Sequence, residues 1–440
     1  METTTQSAES QPVREGFSLW PKQLLGPPPG LKELNLACWG LFLGLVVIPI
    51  CVISWIHAKR GMGSIRQLHS DFVYFYGDGM IAREYPAVRL YDYALQDRVF
   101  NAIYPAHAGY YGPSPYPPFV ALFFRPFARL SFETAYLVWM ATSLLLYIVG
   151  VMASCKATFS KERLKISLLM CFALAFSPFF FSTLINGQLS AVAVCAVGLA
   201  IYQEKQGNPV RSGLALALLA YKPTLLLIVI PMLLLTRRFR ALLGFIAGAV
   251  ALALVATAAD GLAIWPAYAR MLRGFGRASG IGAATHLRLW QYLDLHSSFA
   301  AVPAGTSPTG LIVLACAISA GTIALAFLLW KSANRGHETQ WLAWAATLTW
   351  TMLLNVYVPI YDSVLVVIAV ILTLGALRDL KWGKGAEWTI LLALAIFAVS
   401  WKTEAFAQAH KIQLLTLALL ILGTVQLVFL RRATRRELAA

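Results

Sequence analysis

The stretch "LACWGLFLGLVVIPICVISWI", residues 36–56, contains no charged side chain. A helix rises about 1.5 Å per residue, so about 20 such residues cross the hydrocarbon core of a bilayer. Similar runs recur along the 440-residue chain, whose mean hydropathy is +0.66. Because lipid offers no partner to backbone N–H and C=O groups, only helices or closed barrels span a membrane. The sequence therefore predicts an all-α polytopic membrane protein.

The apolar runs predict about twelve transmembrane helices. The uncertain region is 211–236, which is either one long span or two short ones. Pro223 has no N–H and disfavours helical backbone at Lys222, so we expect two short helices that meet at Lys222. The predicted spans are 36–56, 133–154, 164–185, 188–203, 211–221, 223–236, 240–259, 308–330, 341–357, 362–378, 387–402 and 410–430.

Five Lys/Arg-rich segments, here called the basic blocks, support the break at Lys222. Short basic loops belong in the cytoplasm, and only the broken version places all five blocks on one side with both chain ends inside. The net charge of +16 then reflects loops that meet anionic lipid rather than nucleic acid. The basic blocks are "CKATFSKERLK" (155–165), "TRRFR" (236–240), "KSANR" (331–335), "RDLKWGK" (378–384) and "RRATRR" (431–436).

The chain divides into one membrane domain, 36–430, between two tails. Residues 1–35 are polar and Pro-rich and are expected to form a disordered cytoplasmic tail, and residues 431–440 a basic one. Two external segments stand out, 57–132 and 260–307. The second carries four arginines that the charge rule does not predict: Arg270, Arg273, Arg277 and Arg288. They either contact lipid headgroups and local acids or gather a phosphate, which guanidinium groups bind through paired donors.

The first external segment holds a candidate catalytic acid. Residues 71–83 are expected to form a helix in which Asp71, Tyr74 and Asp78 share one face. A positioned carboxylate can take a proton from a hydroxyl group, whereas an Asp at this place can also serve as the N-cap of the helix. Further on, "YPPFVALFFRPFARL" (116–130) is too interrupted to span. It predicts a helix in the membrane interface that begins near Tyr116, or else plain loop packing.

Polar side chains also interrupt the later spans. "LINGQLS" (184–190) is a tight turn, and Gln188, with Asn186, can hydrogen-bond a sugar or a phosphate. A lysine in apolar surroundings is a functional candidate, so Lys222 is expected to contact phosphate, the alternative being that it extends to the interface.

The segment "NVYVPIYDSV" (355–364) adds Asp362 at the start of the following span, shortly after Tyr357 and Tyr361. Asp362 is either a second site acid or a helix cap. The sequence contains no nucleotide-binding loop, no metal-binding motif and no paired cysteine motif. We therefore expect no metal and no cofactor.

Three stretches in order resemble bacterial glycosyltransferase family eighty-seven, which are C-type transferases that take mannose from polyprenyl phosphate. They are "DFVYFYGDGMIAREYPAVRLYD" (71–92), the Tyr-Pro-Pro stretch at 116–130, and "NGQLSAVAVCAVGLAIYQEKQGNPVRSGLALALLAYKPTLLLIVIPMLLLTRR" (186–238). The resemblance extends over about residues 36 to 380. It implies a many-helix protein of the bacterial inner membrane whose site faces the periplasm or cell exterior.

The resemblance also implies roles for individual residues. The first-loop acid of the family corresponds to Asp71, and its lysine to Lys222. Members that mannosylate glycolipids carry a histidine-rich stretch where this chain has "VYVPIYDSV", so Asp362 is the alternative base. The expected donor is a hexose on polyprenyl monophosphate and the acceptor a glycolipid or polysaccharide hydroxyl. The competing reading is a transporter or flippase of polyprenyl lipids, which needs polar residues along a path through the membrane.

Overall fold

The computed structural model describes residues 30–52, 71–104, 112–275 and 288–439. Its described residues are helical throughout, and their one β-type pairing is a bridge between Tyr292 and Pro359. Arg277 and residues 1–29 of the predicted tail lie outside the described residues.

The described residues contain eighteen numbered helices, nine of which precede residue 236. They are α1 (Leu31–Val52), α2 (Phe72–Glu84), α3 (Tyr93–Ile103), α4 (Pro118–Phe124), α5 (Phe132–Phe159), α6 (Arg163–Leu174), α7 (Ser190–Lys205), α8 (Pro209–Leu216) and α9 (Leu226–Leu235). A π-helical segment, Pro178–Ile185, continues α6, and 3-10 turns at Ala217–Tyr221 and Pro223–Leu225 lie between α8 and α9.

Nine more helices follow. They are α10 (Phe239–Asp260), α11 (Ile264–Phe275), α12 (Leu295–Ala300), α13 (Pro308–Lys331), α14 (His337–Leu353), α15 (Leu365–Asp379), α16 (Gly383–Ser400), α17 (Thr403–His410) and α18 (Leu414–Ala439). A 3-10 turn, Ile360–Val364, leads into α15.

The long helices form a membrane bundle. Seven of those described are long and apolar enough to cross a bilayer, or eight if α6 and the π-helical segment, bent by 60°, count as one span. Large apolar side chains such as Leu45, Leu227 and Ile312 are 58–72% exposed, as expected of lipid-facing positions. The chain is thus a multi-pass membrane protein, while the figure of twelve crossings stays a prediction.

The terminal helices extend into both predicted tails, so residues 31–35 are helical rather than disordered. The first helix begins at Leu31, because Asn35 is buried and its side-chain amide donates to the Leu164 carbonyl at 2.9 Å. The last helix continues through the basic residues 431–436 to Ala439. Arginines stabilise the last turns of a helix through its dipole, so the basic end does not stop the helix.

The helical stretch 209–235 is interrupted at Lys222, as Pro223 predicts. Lys222 has extended backbone (φ −134°, ψ 85°) between the two 3-10 turns. The Lys222 N–H donates to the Leu219 carbonyl and its carbonyl accepts from the Leu225 N–H, both at 3.0 Å, so the break leaves both of its backbone groups paired.

The described residues between α1 and α5, 71–104 and 112–131, pack as a helical layer. The expected helix at 71–83 is observed as α2. Its two glycines allow close approach: a Cβ on Gly77 would lie 2.5 Å from the Phe100 ring, and one on Gly79 2.5 Å from the Phe124 carbonyl oxygen. The interfacial helix expected after Tyr116 is only the seven-residue α4, which ends before Arg125 and Pro126.

The five basic blocks meet at one end of the bundle, as the charge pattern predicts. This places the loops they occupy opposite the polar turns described below, since the connecting helices run the length of the bundle. Arg378 contacts Glu162 at 2.6 Å and Arg436 contacts the Leu380 carbonyl at 3.2 Å, which joins three blocks. Gln340 joins the other two, since it accepts from Arg238 at 2.5 Å and donates to the Ser332 carbonyl at 2.6 Å. His337, two residues after the block 331–335, lies 3.6 Å from Asp379 and connects the two groups.

Candidate functional site

The turn at residues 184–190 is held rigidly by α5. The Tyr136 hydroxyl donates to the Ile185 carbonyl, and the Trp139 indole N–H donates to the Gly187 carbonyl at 2.8 Å. Gly187 has φ +75°, a conformation that glycine adopts without strain. Because both carbonyls are fixed from behind, the side chains of the turn project away from α5.

Two of those side chains bind Asp71. The side-chain amides of Asn186 and Gln188 donate to Asp71 Oδ2 at 2.6 and 2.5 Å, and the Asp71 backbone N–H donates to Asn186 Oδ1 at 3.2 Å. Asp71 occupies the N-cap position of α2, but its side chain makes no capping bond there and binds the 184–190 turn instead. Among the described residues Asp71 Oδ1 accepts no hydrogen bond, which leaves this oxygen open to another donor.

Burial dominates the acidity of Asp71. It raises the pKa of Asp71 above the ordinary aspartate value, while the hydrogen bonds from Gln188 and Asn186 and the positive charge of Arg288 act in the opposite direction. A carboxylate that is partly desolvated but still held by two amides is a stronger base than an exposed one. Arg288 therefore lies close enough for its positive charge to act on Asp71.

Lys222 and Asp362 form a buried ion pair. Lys222 Nζ binds Asp362 Oδ2, and the Ser190 hydroxyl donates to Asp362 Oδ1 at 2.7 Å. Only 1% of the Asp362 side chain is exposed and 17% of Lys222, so both charges are largely withdrawn from solvent. Asp362 makes no capping bond, and the cap alternative for it is wrong.

Tyrosine rings close the space between the two acids. Lys222 Nζ lies 4.8 Å from the centre of the Tyr361 ring. Tyr116 packs against Phe75 with its ring 5.0 Å away. After burial, the negative charges of Asp71 and Asp362 are the strongest influences that raise the pKa of Tyr116, so its hydroxyl lies near both acids.

Asp78 lies two helical turns after Asp71 on α2 and binds Ser114, two residues before Tyr116. It accepts from the Ser114 hydroxyl at 2.5 Å, and the Tyr74 hydroxyl accepts from the Gly112 N–H at 3.2 Å. Asp78 is 4% exposed, and burial raises its pKa to about 7. Both side chains therefore support the loop that carries Tyr116 rather than meet Lys222.

The stretch 288–300 packs onto the late loop through Asp294, a residue that the sequence did not single out. Asp294 is fully buried and accepts from the Ser297 N–H at 2.7 Å, the Ser297 hydroxyl at 2.9 Å and the Val358 N–H at 2.8 Å. The Leu293 N–H donates to the Val358 carbonyl at 2.8 Å. The Asp-x-x-Ser pattern signals a helix cap, but the bond to Val358, 64 residues away, has no local signal.

This docking brings three rings together. Tyr292 and His296 lie 5.7 and 5.4 Å from the ring of Tyr357, which is 40% exposed and has φ +53°. Burial raises the pKa of Tyr292 to about 12, and Asp294 and Asp71 contribute. Tyr292 thus links the Asp71 side of the site to Tyr357. Left-handed backbone at a tyrosine is uncommon and clusters at functional sites.

Asn355 ties the late loop to the break in the chain. Its side-chain amide donates to the Thr224 carbonyl at 2.6 Å, which fixes residues 355–362 against the Lys222–Pro223 turn. This residue was not singled out from the sequence, since an Asn beside a tight turn is ordinary turn chemistry.

The four predicted arginines do not act as one group. Arg288 lies near Asp71, whereas Arg270 and Arg273 are exposed on α11 and, among the described residues, bind no member of the site. The buried face of α11 carries Ile264, Ala267 and Met271. This helical spacing could have shown that the two arginines point outward.

The site therefore joins four separate segments of the chain by side-chain contacts. Asp71 binds the 186–188 turn, Ser190 beside that turn binds Asp362, and Asp362 binds Lys222. It offers a carboxylate with an open oxygen, a buried cation and aromatic walls. Among the described residues the one group of side chains spaced to hold a metal ion is His337, Glu338 and Asp379, at the basic end of the bundle.

A family model described as glycosyltransferase family 87 matches residues 115–356, more than half of the chain. The match contains Tyr116, the 184–190 turn and Lys222, and it begins after Asp71 and ends before Asp362. No curated protein and no solved structure matches the chain.

Proposed function

Since this chain belongs to glycosyltransferase family 87, we propose that it transfers a hexose from a polyprenyl monophosphate carrier. The hexose we expect is mannose, and the acceptor is a hydroxyl group of a glycolipid or polysaccharide. The observation that carries the proposal is the chain of contacts from Asp71 through Gln188 and Ser190 to Asp362 and Lys222. It places a carboxylate and a cation in one polar region at one end of a membrane bundle, as transfer from a lipid phosphate requires.

Asp71 is the general base. One of its oxygens is held by Asn186 and Gln188, and the other accepts nothing among the described residues. Both oxygens of Asp362, in contrast, are engaged by Ser190 and Lys222. The choice between the two acids that the sequence left open thus favours Asp71, and Asp362 positions the lysine.

Lys222 receives the phosphate of the donor. Its ammonium group is held by Asp362 and rests on the Tyr361 ring, so it is oriented before substrate binds. In a region that excludes water, a fixed cation stabilises developing negative charge more strongly than the same cation in solution. Arg288, which lies near Asp71, is the second cation for the phosphate.

The proposed reaction is a single displacement at the anomeric carbon of the donor sugar. The acceptor oxygen forms a bond to the anomeric carbon while the bond from that carbon to the phosphate oxygen breaks. The proton of the acceptor hydroxyl passes to Asp71 Oδ1, and polyprenyl phosphate leaves as an anion beside Lys222. Attack from the face opposite the leaving group inverts the anomeric centre.

Aromatic side chains bind the sugars. Tyr116, near both acids, contacts the transferred hexose, and Asn186 and Gln188 hydrogen-bond its hydroxyls in addition to holding Asp71. Tyr357, with Tyr292 and His296, forms an aromatic surface for the acceptor. The exposed ring of Tyr357 supports this role because sugar faces stack on aromatic rings that are reachable from outside.

The side of the membrane that the site faces is inferred from the charge pattern. The basic blocks lie at the end of the bundle opposite the site, so the site faces away from the cytoplasm, at the periplasmic or external face of the inner membrane. About twelve crossings with both chain ends inside are consistent with this arrangement. The lipid anchors of donor and acceptor then confine both substrates to one plane.

The test is to incubate the purified chain with a panel of polyprenyl-phosphate sugars and a glycolipid acceptor. We expect acceptor-dependent release of polyprenyl phosphate, fastest with the mannose donor, measured by mass spectrometry. Transfer from a nucleotide sugar in place of the lipid donors would overturn the donor assignment. Movement of an intact polyprenyl-phosphate sugar across vesicles without release would instead support the transporter reading.

A further inference from the structure

A long groove runs through the bundle on the side of α6, α15 and α16. Its volume is about 640 Å³, within the range of sites that bind small molecules and lipids. Each helix contributes one stripe: Leu168 and Phe172 on α6, Val370 and Leu374 on α15, and Ala393 on α16. Side chains three or four residues apart lie on one face of a helix, so these stripes form continuous apolar walls.

The groove is as long as a lipid chain. It extends along α15 from Val366 to Arg378, which at 1.5 Å per residue is about 18 Å. Val367, Val370 and Leu374 are half-buried, and Leu394 and Ile390 on α16 are exposed. The groove is therefore open to lipid along its length rather than enclosed by protein.

Positive charge lines one end only. Lys165 at the start of α6, Arg378 at the end of α15 and Lys381 in the next turn all border the groove. Glu162 pairs with both Lys165 and Arg378, and Asp379 pairs with Arg378, so two carboxylates face three cations. Among the described residues Lys381 has no carboxylate partner, and it is exposed.

The other end is closed by apolar side chains. Phe176, Ile396 and Phe397 border it, and the rings of Phe172 and Phe397 lie 5.3 Å apart. No residue of the proposed transferase site lines the groove. A phosphate at this end would meet no cation, whereas one at the basic end meets Lys381 beside the half-buried indole of Trp382, a residue typical of the lipid headgroup level.

We infer that this groove binds an anionic glycerophospholipid of the leaflet opposite the transferase site. Its phosphate lies between Lys165 and Lys381, and one acyl chain fills the groove between α6, α15 and α16. The charge at the basic end selects the headgroup, and the apolar walls accept the chain. The inference holds whether or not the chain is a transferase, because it depends on a separate surface.

The test uses native mass spectrometry of the full chain, released from detergent with equal amounts of phosphatidylglycerol and phosphatidylcholine of the same acyl composition. We expect one phosphatidylglycerol to be retained in preference. Lys381→Gln should reduce that preference about fivefold, as expected for one basic residue near an anionic headgroup. Lys384→Gln, the same change three residues later at a position that does not line the groove, should leave it unchanged.

A second pair of variants tests the groove itself. Ala393→Trp fills the groove and should abolish retention of either lipid, whereas Ala395→Trp, on the exposed side of α16, should not. Equal retention of both lipids, or equal effects of the two lysine variants, would overturn the inference. So would displacement of phosphatidylglycerol by polyprenyl phosphate, since the groove would then hold the tail of a donor. Lys381 is exposed, so its variant folds and keeps the test decisive if Ala393→Trp does not.

Discussion

Removing the lysine of the Lys222–Asp362 pair gives a prediction in which stability and activity separate. In Lys222→Met, the Asp362 carboxylate remains 1% exposed with only the Ser190 hydroxyl as a partner. Breaking a buried ion pair by removing one member costs about 3–5 kcal/mol because an uncompensated charge is left behind. We therefore expect a clearly lower apparent melting temperature of the purified protein in detergent.

A second substitution, Asp362→Asn, should restore the stability that Lys222→Met removes. Adding Asp362→Asn removes the buried charge and keeps an acceptor for Ser190, and neutral replacement of both partners in a buried pair is often close to neutral. The double variant should therefore recover most of the lost stability. It should not recover transfer, which we expect to be about 10²–10³-fold below the unmodified protein, the usual loss when a group that stabilises the leaving anion is removed.

Melting temperature and the initial rate of polyprenyl phosphate release are measured on the same preparations. A double variant that is both stable and active would refute the phosphate role, since the pair would then be structural only. A stable single variant would refute the argument from burial, because Asp362 would have found another partner.

Three further predictions concern other acids. Because burial raises the pKa of Asp78 to about 7, its contribution to the free energy of unfolding should fall by up to about 4 kcal/mol as pH rises from 4 to 7. Asp78→Asn should remove this contribution and make the fall in melting temperature shallower, and an unchanged fall would assign the effect to other buried acids such as Asp71. Asp294→Asn turns an amide N–H toward an N–H donor and should cost about 1–3 kcal/mol. Asp92→Asn, at a partly exposed helix cap that also pairs with the exposed Arg89, should change the melting temperature little, since Asn caps as well as Asp and surface ion pairs contribute little. Equal effects would contradict the docking role of Asp294. Since Gln188 lowers the pKa of Asp71, Gln188→Leu should move the acid limb of the kcat/KM profile to higher pH, and a shift to lower pH would contradict the assignment of the base.

Local patterns predicted the helices and their breaks. Apolar runs gave the long spans, and Pro223 gave the break at Lys222, because both effects act within a few residues. The helix beginning after Asp71 was also predicted, although its two glycines weaken it. The need for glycine at these two positions is not visible locally, because it comes from the close packing of the Phe100 ring and the Phe124 backbone, which lie in other segments.

The ends of the chain show where composition misleads. The basic residues 431–436 read as a tail, yet they continue α18 because arginines suit a helix C-terminus. Residues 31–35 also belong to a helix, since the buried Asn35 finds a partner in Leu164. A partner 129 residues away leaves no trace in the local sequence.

The acids and the lysine of the site were predicted, but their partners were not. An acid or lysine beside an apolar run attracts notice because its burial is costly. That Asn186 and Gln188 would bind Asp71, or that Ser190 would bind Asp362, depends on how α5 and α7 place the turn between them. Asp294 was missed for the same reason.

The central claim is that Asp71 takes the proton of the acceptor hydroxyl while Lys222 holds the leaving phosphate. The most direct measurement compares Asp71→Asn with the unmodified protein in the release of polyprenyl phosphate from the mannose donor with saturating acceptor. Asparagine keeps an oxygen for Asn186 and Gln188, so we predict unchanged melting temperature with transfer abolished. A stable Asp71→Asn protein that transfers at the unmodified rate would contradict the account.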